Sequence, residues 1–238
     1  IASVIAIMTL GDSISSSVTD SMASMGANNI TVGVSQKSTS QETTSSGMTF
    51  SMGPRFTKMT EDDYISDEML DSLEERYGDS IQGFSLTESV GSGTAQLGSL
   101  YAYVNATGVN EANLENTDLT LLAGRTLTER DQIEAKKVCL VSDYLVNNLF
   151  NGNNMAAVGQ TVDILFNSRY YTYTIVGVYK YEESDMGFSS SSEEDTETTL
   201  YLPLQTAKNQ THNTNGYSQF TILTASGVSA TSFCETVE

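Results

Sequence analysis

Histidine occurs once in this 238-residue chain, cysteine twice, and lysine with arginine only 11 times against 30 aspartates and glutamates. Each scarcity excludes a class of function. A formal net charge of −19 repels a polyanion that comes within a Debye length, so nucleic acid is ruled out as a partner. The single histidine, His212, stands between Thr211 and Asn213 in a polar stretch that reads as a solvated loop. A Ser-His-Asp triad would have to use it. No Gly-x-Ser-x-Gly elbow precedes a helix, and no glycine-rich loop with a lysine cradles a phosphate. The sequence therefore offers no catalytic residue, no cofactor site and no means of hydrolysing nucleotide. Asp12 and Asp20, Glu61 to Asp63, and Glu193 to Asp195 lack the spacing of an EF-hand, so they read as solvated acidic faces and not as a metal site. Two cysteines make no disulfide framework. Cys139 sits in the apolar run Val138-Cys139-Leu140-Val141 and reads as a small packed hydrophobe, a single bridge to Cys234 being the alternative.

What is present suffices for a core: hydrophobic residues make up 39% of the chain, including 12 Tyr and 8 Phe. The opening ten residues, IASVIAIMTL, carry no charge, but a spanning helix needs about 20 such residues. They read as half a span, cut at a fragment boundary. From Asp12 the apolar face narrows to Ile14, Val18, Met22 and Met25, which recur at the helical period. Gly26 can end that helix, and Asn29 to Val34 then alternates as a strand does. Two readings stand: a stalk continuing a membrane helix outward, or an amphipathic helix closing a soluble core.

Ser35 to Gly53 is a Ser/Thr/Gln-rich loop without apolar period. A helix is expected from Thr60, with Ile65, Met69, Leu73 and Tyr77 as its stripe. Ile81 to Val90 and Ser99 to Val109 read as strands. Past Asn110 the texture changes: an acidic stretch from Glu111 to Thr120, a capped turn at Thr128 to Asp131, a strand at Lys137 to Val141 and a short helix begun by Ser142. Thr161 to Phe166 and Tyr170 to Tyr179 form a hairpin about Asn167-Ser168. Tyr181 to Glu197 is a loop too charged to pack. A strand at Thr199 to Leu202, a helix from Leu204 to Gln210 behind Pro203, a strand at Tyr217 to Thr224 and a helix from Ser229 complete the chain. The tyrosines Tyr170, Tyr171, Tyr173, Tyr179 and Tyr181 have two readings, cross-strand packing or a surface facing a partner.

The ordered segments IASVIAIMTLGD, MGANNITV, AGRTLTERD, KKVCLVSDYLVNNLF, GQTVDILFNSRYYTYTIVGVYK and TTLYLPLQTAKN resemble the extracytoplasmic core domain of MacB-like ABC transporter permeases, in the FtsX-like superfamily. The resemblance spans the chain apart from 35–53 and 181–198, and those two insertions depart from the exporter pattern. It implies an α+β fold of two lobes: a porter-like αβ lobe from 1–110 and 199–238, and an inserted, mainly β lobe from 111–198. It further implies an extracellular domain between the first two of four membrane helices, working with a cytoplasmic ATPase subunit and a second permease copy. A membrane-fusion adaptor is a further implied partner. On this reading Ile14, Val18, Met22 and Met25 form the stem that couples span to domain, and the substrate is a peptide, antibiotic or similar amphipathic molecule. The alternative within the family is a permease that regulates an extracellular partner. The acidic Ser/Thr loops suggest a Gram-positive cell membrane, and the isolated fragment is expected to be a monomer.

Overall fold

The structure, a computed structural model, describes residues 29–34, 64–182, 196–225, 228, 230 and 233. The stem residues Ile14, Val18, Met22 and Met25, and Cys234, lie outside them. Among the described residues nine strands carry the fold: β1 (Asn29–Gly33), β2 (Ile81–Leu97), β3 (Leu100–Val109), β4 (Leu121–Gly124), β5 (Val138–Ser142), β6 (Thr161–Phe166), β7 (Arg169–Tyr179), β8 (Thr198–Pro203) and β9 (Gln219–Thr224). Between them run α1 (Asp67–Tyr77), α2 (Glu111–Asn116), α3 (Glu129–Ile133), α4 (Asp143–Phe150), α5 (Asn154–Ala157) and α6 (Leu204–Thr211). The fold is mixed α and β.

Helix α1 starts later than its stripe suggested, because Ile65 is held extended by a bridge to Tyr217. Ser66 caps it, its hydroxyl accepting the Met69 N–H at 3.3 Å. That start turns the inner face to Leu70, Leu73 and Tyr77 and leaves Met69 54% exposed. The acidic stretch after Asn110 is also more ordered than its composition suggests. Asn110 accepts the Asn113 N–H at 3.1 Å and so caps α2, whose Leu114 is buried.

Strand order is β1-β9-β2-β3-β8-β5-β7-β4, with β6 bonded to both β2 and β7. The last two pairings close a ring: β2, β3, β8, β5, β7, β6 and back to β2 form a six-stranded barrel. Its lumen is filled by inward residues at the strand period, among them Val104, Val141, Ile164, Ile175 and Leu200, all at 0% exposure. Each such side chain stabilises by roughly 1.5–3 kcal/mol. Ala95, Ala102 and Ala106 keep the lumen narrow, and Gly93 completes them, since a Cβ there would lie 2.5 Å from the Phe166 ring. Residues on both sides of Asn110 therefore share one core. The change of composition at Asn110 falls at the cap of α2.

A second core lies where α1 covers the sheet β1-β9-β2, with Ile81, Phe220, Ile222 and Phe233 at its centre. Phe233 meets the Tyr77 ring edge-on at 5.6 Å. A third, smaller cluster of Val109, Leu114, Leu127, Leu140 and Tyr179 packs outside the barrel beneath α2. Cys139 is a free, fully buried thiol, pushed well above its ordinary pKa by burial.

Candidate functional site

One strand belongs to both main cores. Residues Ile81 to Leu86 of β2 pair with β9, and Thr87 to Leu97 pair with β3. Seventeen extended residues make a rod of about 55 Å. Register shifts at Ile81/Gly83 and Ser89/Gly91 bend it at either side of the junction, and Gly91 there adopts φ +108°, open to glycine at little cost.

The junction is braced by side chains rather than by covalent links. Asn110 accepts the Leu86 N–H at 3.0 Å and donates to the Phe84 carbonyl at 2.7 Å, while the Asn113 amide donates to the Ser85 hydroxyl at 2.8 Å. On the neighbouring residue Glu88, one carboxylate oxygen takes the Thr211 hydroxyl at 2.7 Å and the other the Asn213 amide at 2.8 Å. The end of α6 is thereby tied to β2. Its start is tied by Gln132, which donates to the Val109 carbonyl at 2.7 Å and accepts the Leu204 N–H at 2.6 Å.

Gln132 is held in place by the turn that precedes it. Asp131 is fully covered and accepts from Arg125 at 2.6 and 3.3 Å, from the Thr128 N–H at 3.1 Å, from the Thr128 hydroxyl at 2.8 Å and from Lys136 at 3.1 Å. Burial alone raises a carboxyl pKa, yet these donors together hold Asp131 well below the usual carboxylate range. The capped turn expected at Thr128 to Asp131 is present as a capping box.

The five tyrosines named from the sequence do not form one surface. Tyr173 and Tyr179 are buried, at 2% and 3% exposure, where burial pushes both phenols up in pKa. Tyr173 donates to Gln210 and Tyr179 to the Thr199 carbonyl at 2.6 Å. Tyr171 packs on Phe166, and Tyr181 stacks with Tyr144 at 4.9 Å. Only Tyr170 is open, its hydroxyl donating to Gln96 at 3.3 Å. Two tyrosines that sequence reasoning did not select, Tyr101 and Tyr103, are exposed on the same outer face and pair edge-to-face at 5.6 Å. His212 ends α6 in the left-handed region and is exposed, as a loop histidine should be.

The whole chain, residues 1–238, matches the profile of the MacB-like periplasmic core domain. The chain belongs to that family. Two solved structures are similar to this MacB-like domain. The extracellular domain of the noncanonic ABC-type transporter YknZ from Gram-positive bacteria is 20% identical over 68% of this chain and 74% of that one, with a TM-score of 0.51. The periplasmic region of MacB from Actinobacillus actinomycetemcomitans is 22% identical over 71% of this chain and 68% of that one, with a TM-score of 0.52. At such identities the likeness concerns the fold. No curated protein matches the sequence. The MacB-like domain is thus an extracytoplasmic part of an ABC transporter permease, and among its described residues no helix is long and apolar enough to cross a membrane.

Proposed function

We propose that this domain transmits ATP-driven motion of the permease's membrane helices to the export of a peptide, antibiotic or similar amphipathic substrate. The observation that carries the reading is the continuity of β2. Strand β1 begins four residues after Met25 in the sequence and pairs with β9, β9 pairs with β2, and β2 runs on into the barrel wall. A pull on β1 acts along hydrogen-bonded strands, which strain little before they move together. Two lobes are then natural mechanical units: the α1-covered sheet, and the barrel with its flanking helices, meeting within β2. ATP hydrolysis resides in a cytoplasmic partner, a second permease copy completes the transporter, and a membrane-fusion adaptor joins where the cell has one. The domain faces the outside of a cell membrane, that of a Gram-positive cell. A cysteine replacing Ser190 should then react with a membrane-impermeant reagent on whole cells; protection of that site would sink the topology.

The test of coupling uses the full permease with its ATPase, reconstituted in vesicles. Replacing Val18 and Met22 by Asp should abolish transport and uncouple ATP turnover from it. Unchanged transport and coupling would dismiss the stem role. A second reading, regulation of an extracellular partner, draws on the exposed Tyr101, Tyr103 and Tyr170 of the barrel wall. If Tyr101 and Tyr103 replaced together by Ser leave transport intact but abolish signalling, the second reading displaces the first.

A further inference from the structure

The outer wall of the barrel at β3, β2, β6 and β7 carries two rows of side chains that run across the strands. Tyr103, Thr94, Leu165 and Tyr170 pair in register as one row, and Tyr101, Gln96, Asp163 and Thr172 as the next. Their neighbours along the strands, Ala95, Ala102 and Ile164, are buried in the lumen, so alternation turns both rows outward. Tyr101, Tyr103 and Tyr170 are 48%, 40% and 62% exposed. The Tyr101 and Tyr103 rings stand at 67° to each other, so one presents its face where the other presents its edge. Tyr170 lies three strand spacings away, about 14 Å, at the far end of the row.

The ends of this face are aromatic and its middle is polar. The Tyr170 hydroxyl donates to the Gln96 carbonyl at 3.3 Å and the Thr172 hydroxyl to Asp163 at 2.5 Å, which leaves the Gln96 amide N–H groups and the Thr94 hydroxyl without a partner among the described residues. Protein interfaces have the reverse anatomy, an apolar centre within a polar rim. A small molecule is held in a concave site that covers most of it, and a sheet face is too flat for that. Charge narrows the choice further. Asp163 is the one carboxylate in these rows, on a domain of net charge −19, so a cation is drawn more strongly elsewhere and a polyanion is repelled. An uncharged polymer with C–H groups on its ring faces and hydroxyls around its edges matches both the rings and the polar middle, and strand faces of small barrels hold oligosaccharides in other folds.

We propose that this face binds an extended, uncharged polysaccharide of β-linked pyranose units, laid across the strands from Tyr103 to Tyr170. The tyrosine rings pack on sugar faces at the two ends, and Gln96 and Thr94 hydrogen-bond hydroxyls between them. The face is the one invoked for regulation above, but binding here holds whether the domain transports or regulates.

Chitohexaose titrated into the domain, followed by NMR shifts of backbone amides, tests this. A saturable shift confined to residues around 94–96, 101–103, 163–165 and 170–172 is expected, with the same affinity at low and high salt because the partner carries no charge. Tyr170→Ala should weaken binding about fivefold. Met155→Ala trims another exposed side chain, on α5 and outside the two rows, and should leave affinity unchanged. Maltohexaose, whose α-linkages curl the chain, should bind severalfold more weakly. No saturable shift, shifts indifferent to Tyr170→Ala, or equal binding of the two sugars would each overturn the proposal. A domain that sediments as a dimer, and as a monomer after Tyr170→Ala, would give the face to a second copy of this chain and overturn it equally.

Discussion

Glu88, on the strand common to both cores, accepts the side-chain amide of Asn213 at 2.8 Å across 125 residues of sequence. A second oxygen of the same carboxylate takes the Thr211 hydroxyl. Glu88→Ala removes both charge-assisted bonds and should lower stability by about 2 kcal/mol in urea unfolding. The double variant Glu88→Ala with Asn213→Ala should cost less than the two single changes added together, because they share one interaction. Strict additivity would show that the contact contributes nothing.

Asp131→Ala leaves Arg125 and Lys136 facing each other around an empty acceptor and strips two donors on Thr128 of their partner. The loss should be about 3 kcal/mol. The pH dependence follows from the direction of its pKa. Folded Asp131 titrates below the unfolded value near 3.9, so its contribution is fully present above about pH 4 and fades as pH falls toward the folded value. Acid unfolding of the natural domain should therefore be steeper below pH 4 than that of Asp131→Asn, measured by tyrosine fluorescence against pH. Parallel curves would remove Asp131 from the account.

Gly93 faces the Phe166 ring with no room for a Cβ. Gly93→Ala should destabilise by about 1–3 kcal/mol through overpacking, and Phe166→Leu in the same chain should recover part of that loss. If thermal unfolding shows Gly93→Ala to be neutral, the lumen is less tightly filled than its geometry indicates.

Cys139 should be inert while the domain is folded, since its thiol is fully buried and held in the neutral form. In a Cys234→Ser background, maleimide labelling at Cys139 should follow global unfolding across a urea series. Rapid labelling in native buffer would mean that the barrel opens locally.

Much of the local structure was legible from residue order. The hairpin about Asn167 and Ser168 forms as read, with both turn residues at positive φ, because a two-residue turn between alternating strands leaves little choice. Ser142 caps α4 as expected, accepting the Leu145 N–H at 3.1 Å. The braces were less legible. Asn110 caps a helix in a stretch read only as acidic, and its second role, holding Phe84 and Leu86, depends on where β2 passes. Glu88 carried no local signal at all.

Sequence by itself determined most of the strands and helices, the acidic surface, the absence of catalytic and phosphate-binding motifs, and the family, since each rests on residue type and short-range spacing. Tertiary structure decided which face of each strand is covered. Tyr170 and Tyr173 share one strand three residues apart, so alternation places them on opposite faces but cannot say which face lies inward. That was settled when β6 met β2 through Thr94, Ala95 and Gln96, pairing with Leu165, Ile164 and Asp163. Closing the ring turned Tyr173 into the lumen and left Tyr170 in water, and a contact between segments roughly 70 residues apart is set by packing of the whole chain, not by any stretch of it.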